Sequence, residues 1–430
     1  MATVLELIQK IEAGEYDQAF GHLYGTDKVE QQKSRYTKAV EEFGLLYGKD
    51  REVSLYSAPG RTEIGGNHVD HNNGVVMAAA VDLDIITVVS KNNDNIVRLK
   101  SQGFSQSYAI DLSITEPQES EMGSSSGLIR GVAMGIVQKG GKIGGFDAYA
   151  TSDVLSGSGL SSSAAFEVVM GAIFVGEYNN GEIDQVEIAK ISQYAENVYF
   201  GKPCGLMDQT ACAVGGAITI DFKDPTQPIV NRVSFDLEKH GFVLCITDTK
   251  GSHADLTDDY AAIRSEMEQV AAFFGKKVLR EVDEQEVFQN LSALREKLGD
   301  RACLRAIHFF AECRRAKDLY TAVEQDRFED FLHHIIQGGH SSFEYNQNAY
   351  SIKNPKEQGV ALGVAVSQHL LQGKGAWRLQ GGGFAGTIQA FVPVELLDEY
   401  KREIENVFGE GSCYVLKVRN YGAVAVTPDM

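Results

Sequence analysis

Over the first fifty residues, apolar positions recur at helical spacing through Tyr36, Val40, Phe43 and Leu46, which predicts helices there. From Val53 the pattern turns to short apolar runs and alternations that fit strands: Val53–Ser57, Val75–Met77, Asp84–Ser90 and Ile96–Leu99. Polar clusters such as Asn92–Asn95 mark the turns between them. A Gly/Ser loop at Gly123–Gly127 precedes a helix at Leu128–Gln138. Next come a strand at Asp147–Leu155, a second Gly/Ser loop and a helix from Ala164 to Val175. Another helix is expected at Ile183–Tyr199 and a strand near Ile218–Phe222. Asp224-Pro225 with Gln227-Pro228 marks the expected domain crossing, giving units of 1–225 and 226–430. Past it lie a strand at Phe242–Asp248 and a helical region from Asp258 to Tyr350, broken near Lys276, Gly299, Gln325 and Gly338-Gly339. The chain closes with strands at Trp377–Gln380, Thr387–Val392, Tyr414–Val418 and Ala423–Thr427 around a helix at Glu395–Phe408. Strands and helices are grouped rather than strictly alternating, so the fold class is α+β rather than a doubly wound parallel sheet. No internal repeat or low-complexity tract interrupts the pattern.

The totals narrow the classes of function. With 430 residues and 43% hydrophobic content, the chain can fill two cores. A formal charge of −19 argues against nucleic acid or an anionic membrane as the main partner, while leaving room for a local phosphate pocket. No apolar run is long enough to span a bilayer, and the acidic, amphipathic start of the chain is unlike a signal or transit peptide. The six cysteines, Cys204, Cys212, Cys245, Cys303, Cys313 and Cys413, form no CxxC pair and read as reduced thiols of a cytoplasmic protein.

Four stretches carry candidate chemistry. Gly157-Ser158-Gly159-Leu160-Ser161-Ser162-Ser163 joins a strand-like run to a helix. Glycines admit close backbone approach, the helix start offers unpaired N–H groups, and serine hydroxyls can reach phosphate oxygens or a metal ion. An ordinary serine-rich helix cap uses the same residues. The stretch 58–74 packs Arg61, Asn67, His68, Asp70 and His71 into a Gly-rich connection between strand-like runs, the groups that bind sugar hydroxyls or a transferring phosphoryl group. His68-x-Asp70-His71 is too compact for a metal site without a distant His cluster. In Cys204-Gly205-Leu206-Met207-Asp208-Gln209, with Glu196 before it, the aspartate has the ordinary reading of a helix cap; in a phosphoryl-transfer site an Asp accepts the substrate hydroxyl proton, and another carboxylate with a Ser holds Mg²⁺. Gly381-Gly382-Gly383-Phe384-Ala385-Gly386 satisfies the dinucleotide fingerprint literally, but a strand follows where a helix should open, so a tight hairpin fits better. The face with His308, Phe309, Phe310, Leu319 and Phe331 reads as core.

In their order and spacing these stretches resemble the GHMP small-molecule kinases, and 58–74 resembles the signature of their galactokinase branch. The segment around His308, Glu312 and Arg314, the run Gly339-His340-Ser341-Ser342-Phe343 and the closing Gly-rich turn extend the likeness over nearly the whole chain. The resemblance implies a two-domain α+β fold with ATP and sugar in the cleft between domains, and ATP-dependent phosphorylation of an anomeric hydroxyl. By motif it implies Arg61 as the transition-state cation and Asp208 as the catalytic base. Asn67, His68, Asp70, Gly205 and Tyr260 fall on sugar-contacting positions, residues 157–163 on the phosphate loop, and Ser163 and Glu196 on magnesium ligands. Galactose is the leading substrate and ATP with Mg²⁺ the implied co-substrate and cofactor. Two departures stand out. Asn67 replaces a glutamate that in the family contacts the hexose C6 hydroxyl, which opens a C6-modified sugar such as galacturonate as an alternative. Ser125 stands where an aromatic residue often packs near adenine. A sugar- and ATP-binding sensor without turnover is the alternative of another class; it would be expected to have lost a catalytic residue, and none is missing here.

Overall fold

The computed structural model describes residues 2–154, 160–202, 204–252 and 256–430. Two sheets organise these residues. The first is nine-stranded, its main path running Ala2–Thr3, Glu52–Gly65, Val75–Lys91, Phe146–Ser152, Ile96–Ser101, Ser107–Asp111. Ala217–Asp221 pairs with the start of Val75–Lys91 and is flanked by Ile229–Val233, while Val424–Ala425 returns from the end of the chain to Glu52–Gly65. All pairs are antiparallel except Ile96–Ser101 with Phe146–Ser152. The second sheet, in the order Ala376–Leu379, Thr387–Pro393, Phe242–Asp248, Cys413–Leu416, is antiparallel throughout.

Period-two alternation sorts the first sheet's side chains between two layers. Val53, Leu55, Ile86 and Val88 face the helices Val4–Glu12, Asp17–Tyr24 and Val29–Tyr47; Tyr56, Ala58, Ile85 and Val89 face the layer of Ser125–Gln138, Ser162–Tyr178, Gln185–Tyr194 and Met207–Val214. This second core continues without a break into Thr257–Phe273, Asp300–Glu324 and Phe328–Ser341, which belong to the C-terminal half. The crossing expected at Asp224-Pro225 lies in the turn between Ala217–Asp221 and Ile229–Val233, which pair with each other. Among the described residues no helix is long and apolar enough to cross a membrane.

The expected elements are recovered with informative exceptions. Residues 58–65 are not a connection but the second half of a 14-residue strand, Glu52–Gly65. Its polar side chains are buried against the C-terminal sheet, where Gln389 Nε2 donates to Thr62 Oγ1 at 2.6 Å and Arg378 Nη2 to Glu63 Oε1 at 2.9 Å. The runs expected at Val75–Met77 and Asp84–Ser90 form one strand, Val75–Lys91, because Asp82 between them and Asp84 at the start of the second are buried with partners. Gly338-Gly339 does not break its helix; these glycines let the helix approach the strand Ala376–Leu379, and a Cβ on Gly339 would come within 3.1 Å of Trp377 O. Ser107–Asp111, Ile229–Val233 and the helix Gly359–Leu371 had no predicted counterpart.

One of those buried acids ties the layers together. Asp84 is fully buried and accepts from Arg35 Nη1 at 2.6 Å, Tyr24 Oη at 2.6 Å and Arg419 Nη1 at 2.9 Å, with Ser57 Oγ also donating. The N-terminal helices, the central strand and the C-terminal tail thus converge on one carboxylate. Burial alone would raise its pKa, but Arg35 and Arg419 outweigh burial and hold it below the ordinary 3.8. Its stabilising contribution is therefore present above that value and is lost as pH falls through the lowered one. Removing the charge leaves the buried Arg419 guanidinium unpaired, so Asp84→Asn should cost about 3–5 kcal/mol, read as a lower urea midpoint. A midpoint within error of the parent would show that the cluster does not hold the layers.

Candidate active site

Strand Glu52–Gly65 delivers the first functional side chains. Its pairing with Val75–Lys91 shifts register between Pro59 and Arg61 and again between Glu63 and Gly65, irregularities that re-aim side chains. A Cβ on Gly60 would lie 2.8 Å from Leu160 O, and Arg61 N donates to that same carbonyl at 3.1 Å. The strand thus fastens the end of the Gly/Ser loop. Leu160 is buried and Ser161, Ser162 and Ser163 half-buried, whereas Gly157, Ser158 and Gly159 lie outside the described residues. Ser161 caps the helix Ser162–Tyr178 in the left-handed conformation, φ 59°.

Arg61 and Asp208, 147 residues apart, meet side-on: Nε donates to Oδ1 and Nη2 to Oδ2, both at 2.8 Å. Ser161 Oγ donates to the same carboxylate. Asp208 stands in the first turn of Met207–Val214, whose N-terminus favours negative charge. Burial pushes its pKa up, but the charge and hydrogen bonds of Arg61, with the Ser161 bond, outweigh burial and hold it below the usual carboxylate range. An ionised acceptor and a fixed cation therefore share one point beside the helix that follows the Gly/Ser loop.

Next to this pair lies a carboxylate couple that only half appears in the sequence analysis. Glu196 is buried in the π-helical turn Ala195–Phe200, and Glu167 is buried one turn beyond Ser163 on the same helix face. Gln209 Nε2 donates to both, at 2.8 Å to Glu196 Oε2 and 3.2 Å to Glu167 Oε2. Glu167 Oε1 has no hydrogen-bond partner among the described residues, and burial and then Glu196 raise its pKa well above the ordinary value. Lys202 Nζ is 3.6 Å from Glu196 Oε1. Glu167 and Glu196, bridged by the Gln209 amide and with Glu167 Oε1 left unsatisfied, offer oxygen donors of the kind a hard divalent cation takes. No group of three or more His, Cys, Asp or Glu poised for a metal exists among the described residues. Glu167 escaped notice because it sits in an apolar helical run; its spacing of four from Ser163 was the available signal.

At the opposite end, His68 has a left-handed backbone, φ 56°, rare for a residue with a side chain. The long helix Asp300–Glu324 imposes it: Glu312 Oε2 accepts from Gly66 N at 3.1 Å and Asn67 N at 3.3 Å, and His308 Nε2 donates to Asn67 O at 2.8 Å. Burial lowers the pKa of His308 to about 4, so its neutral ring accepts from Ser341 Oγ through Nδ1. His308 is core, as expected, but also a polar strut. His68 Nε2 donates to Gly382 O at 2.8 Å, and Tyr260 Oη donates to Gly383 O at 2.9 Å. Burial lowers the pKa of His68 and raises that of Asp70. Gly205 lets the chain pass close to Asp70: a Cβ there would lie 2.1 Å from Asp70 Oδ2 and push that carboxylate from its place. The Gly381–Gly386 stretch is the expected hairpin, joining Ala376–Leu379 to Thr387–Pro393. Ser125, half-buried, opens the helix Ser125–Gln138.

With this geometry in place, known proteins can be compared. Residues 127–216 match the model described as GHMP kinases N terminal domain, and residues 41–91 match the galactokinase galactose-binding signature. The galactokinase of Streptomyces coelicolor is 31% identical over 373 residues, covering 86% of this chain and 92% of that protein. That of Actinobacillus pleuropneumoniae is 33% identical over 376 residues, covering 85% and 92%. Among solved structures, Lactococcus lactis galactokinase complexed with galactose superposes with a TM-score of 0.77 at 22% identity, over 91% of this chain and 99% of that one. The mevalonate kinase of Methanococcus jannaschii shares the fold at a TM-score of 0.56 and 15% identity, over 85% and 98%.

One buried acid in the site yields a stability test. Burial raises Glu63 from 4.5 to about 7, although Arg378, Arg61 and the Asn67 amide favour its charged form and Glu312 opposes it. The folded state thus binds the proton more tightly than the unfolded chain, so stability falls as pH rises from about 4.5 to 7 and stays reduced above. Glu63→Gln should flatten this fall, by roughly 3 kcal/mol at most, in urea titrations at pH 5 and pH 8. Equal slopes in parent and variant would show that Glu63 does not titrate in this window.

Proposed function

The chain belongs to the galactokinase family of GHMP kinases, and we propose on that footing that it transfers the terminal phosphoryl group of ATP to the anomeric hydroxyl of galactose, forming galactose 1-phosphate. The observation that carries the reaction is the Arg61–Asp208 pair beside the helix that follows the Gly/Ser loop. Phosphoryl transfer passes through a loose transition state, so catalysis is chiefly positioning and charge stabilisation. Arg61, already desolvated and fixed, meets the charge that develops on the phosphoryl oxygens. Asp208, held ionised by Arg61 and Ser161, is a weak base toward a resting sugar hydroxyl. It orients that hydroxyl and accepts its proton as the new P–O bond makes the hydroxyl acidic.

The loop 157–163 binds the phosphates. Ser163 and Glu196, joined by the under-satisfied Glu167, would hold Mg²⁺, which when bound supplies charge neutralisation at the ATP phosphates. His68, Asp70, Gly205 and Tyr260 line the sugar end. The site lies where the first sheet and its helices meet the second sheet and the helices from Thr257 onward, which contribute Tyr260, the Glu312 clamp and the Gly381–Gly383 turn. The units 1–225 and 226–430 remain the proposed division, with the hairpin strand Ile229–Val233 and the returning Val424–Ala425 packed on the first sheet. The cytoplasm is the proposed setting, in keeping with six free cysteines.

Mg·ATP-dependent ADP release should be strongest with galactose among galactose, galacturonate, glucose, N-acetylgalactosamine and mevalonate. Turnover on galacturonate alone would overturn the substrate assignment. Asp208→Asn should still bind galactose by calorimetry while kcat falls about 10²-fold or more. Near-parental kcat would remove Asp208 from the reaction.

A further inference from the structure

Asn67 falls on a sugar-contacting position, yet its side chain has no hydrogen-bonding capacity left to offer. A primary amide donates two N–H and accepts through two lone pairs. Asn67 Nδ2 donates to Glu63 Oε1 at 3.0 Å, with Oε2 at 3.3 Å, and to Gly381 O at 2.7 Å. Its Oδ1 accepts from Asn348 Nδ2 at 2.9 Å and Ser342 Oγ at 3.3 Å. The residue is 1% exposed. Its orientation is set by two groups of fixed role: the Gly381 carbonyl can only accept, and Asn348 Nδ2, itself fixed by its bond to Gly382 O, can only donate.

The partners on the far side form a pattern. Three consecutive carbonyls of the Gly-rich turn each accept from a side chain of the sugar end: Gly381 O from Asn67, Gly382 O from His68 and from Asn348 at 3.1 Å, and Gly383 O from Tyr260. The turn is seated so closely that a Cβ on Gly383 would lie 2.1 Å from Asn348 O. Glu63 also accounts for the departure at position 67. An ionised carboxylate there would crowd a second acid against Glu63 and leave the Gly381 carbonyl without a donor, whereas an amide donates to both.

We propose that Asn67 is a positioning residue, a latch between Glu63 and the Gly381–Gly383 turn that sets His68 and Tyr260 for the sugar without touching it. The inference rests on the galactose kinase reading for its substrate, but not for its mechanical part. Losing the latch loosens one wall of the sugar site and leaves Arg61 and Asp208 in place. The expected signature is a higher KM for sugar, about tenfold or more, with kcat changed by less than about threefold.

The test uses the full chain with Asn67→Ala and, in parallel, Asn348→Ala, which cuts the latch from its other side and carries the test if the first variant does not fold. Amide hydrogen exchange without substrate should speed up across residues 381–384 in both. Kinetics with galactose and 6-deoxygalactose should show the same fold-loss for each sugar, because a latch does not sense which hydroxyl is present. Unchanged exchange across 381–384 would overturn the latch. A loss that vanishes with 6-deoxygalactose would overturn it too, by making Asn67 a direct ligand of the C6 hydroxyl. Absence of galactose turnover in the parent would instead sink the substrate assignment, and the exchange result would still decide the latch.

Discussion

The galactokinase-signature turn of this molecule hangs from a carboxylate that never meets water. Glu312 is fully buried, accepts two consecutive backbone N–H groups and is paired with Arg315. Burial would raise its pKa, but the guanidinium of Arg315, with that of Arg378 and the Gly66 N–H behind it, outweighs burial and holds it below the usual carboxylate range. Neither partner can be withdrawn cheaply: a buried N–H without an acceptor costs about 1–3 kcal/mol, and an unpaired buried charge more. Helix Asp300–Glu324 and the signature turn are therefore one mechanical unit. The left-handed backbone of His68 persists because its surroundings over-determine it.

A single strand then distributes charge to both ends of the site. Arg61 turns toward the carboxylate of Asp208, and Glu63, two residues on, joins the guanidinium of Arg378. The intervening Thr62 bonds Gln380 and Gln389. A strand of this polarity is tolerable in an interior only because each group finds a partner. Those partners come from the C-terminal sheet and from the helix carrying Asp208, so the contacts that fold the chain also aim the reactive groups.

What the sequence reveals and conceals follows from this arrangement. Local chemistry was legible: glycines beside serines before a helix, an arginine within a Gly-rich stretch, a carboxylate after a glycine. Apolar periodicity placed most helices and the strand Phe242–Asp248 to the residue. The strand at 58–65 was hidden because polar residues signal loops until their buried partners are known, and the partner of Glu63 lies 315 residues away. Asp82 and Asp84 concealed the continuity of Val75–Lys91 in the same way. Gly338-Gly339 reads as a helix end, but the glycines serve close packing against Trp377 and Arg378. Glu167 and the amide network around Asn67 are properties of tertiary contact alone.

The return of Val424–Ala425 to the strand Glu52–Gly65, with Arg419 reaching Asp84, bears on how the protein is made. During synthesis the strand Glu52–Gly65 emerges long before the segment that covers part of its edge. Asp84 on the neighbouring strand, already within reach of Arg35, waits as long for Arg419, its second guanidinium. Such long-range closure slows folding and leaves a strand edge uncovered in the nascent state. A substitution that breaks the Val424–Ala425 pairing would therefore act on folding yield before it acted on catalysis.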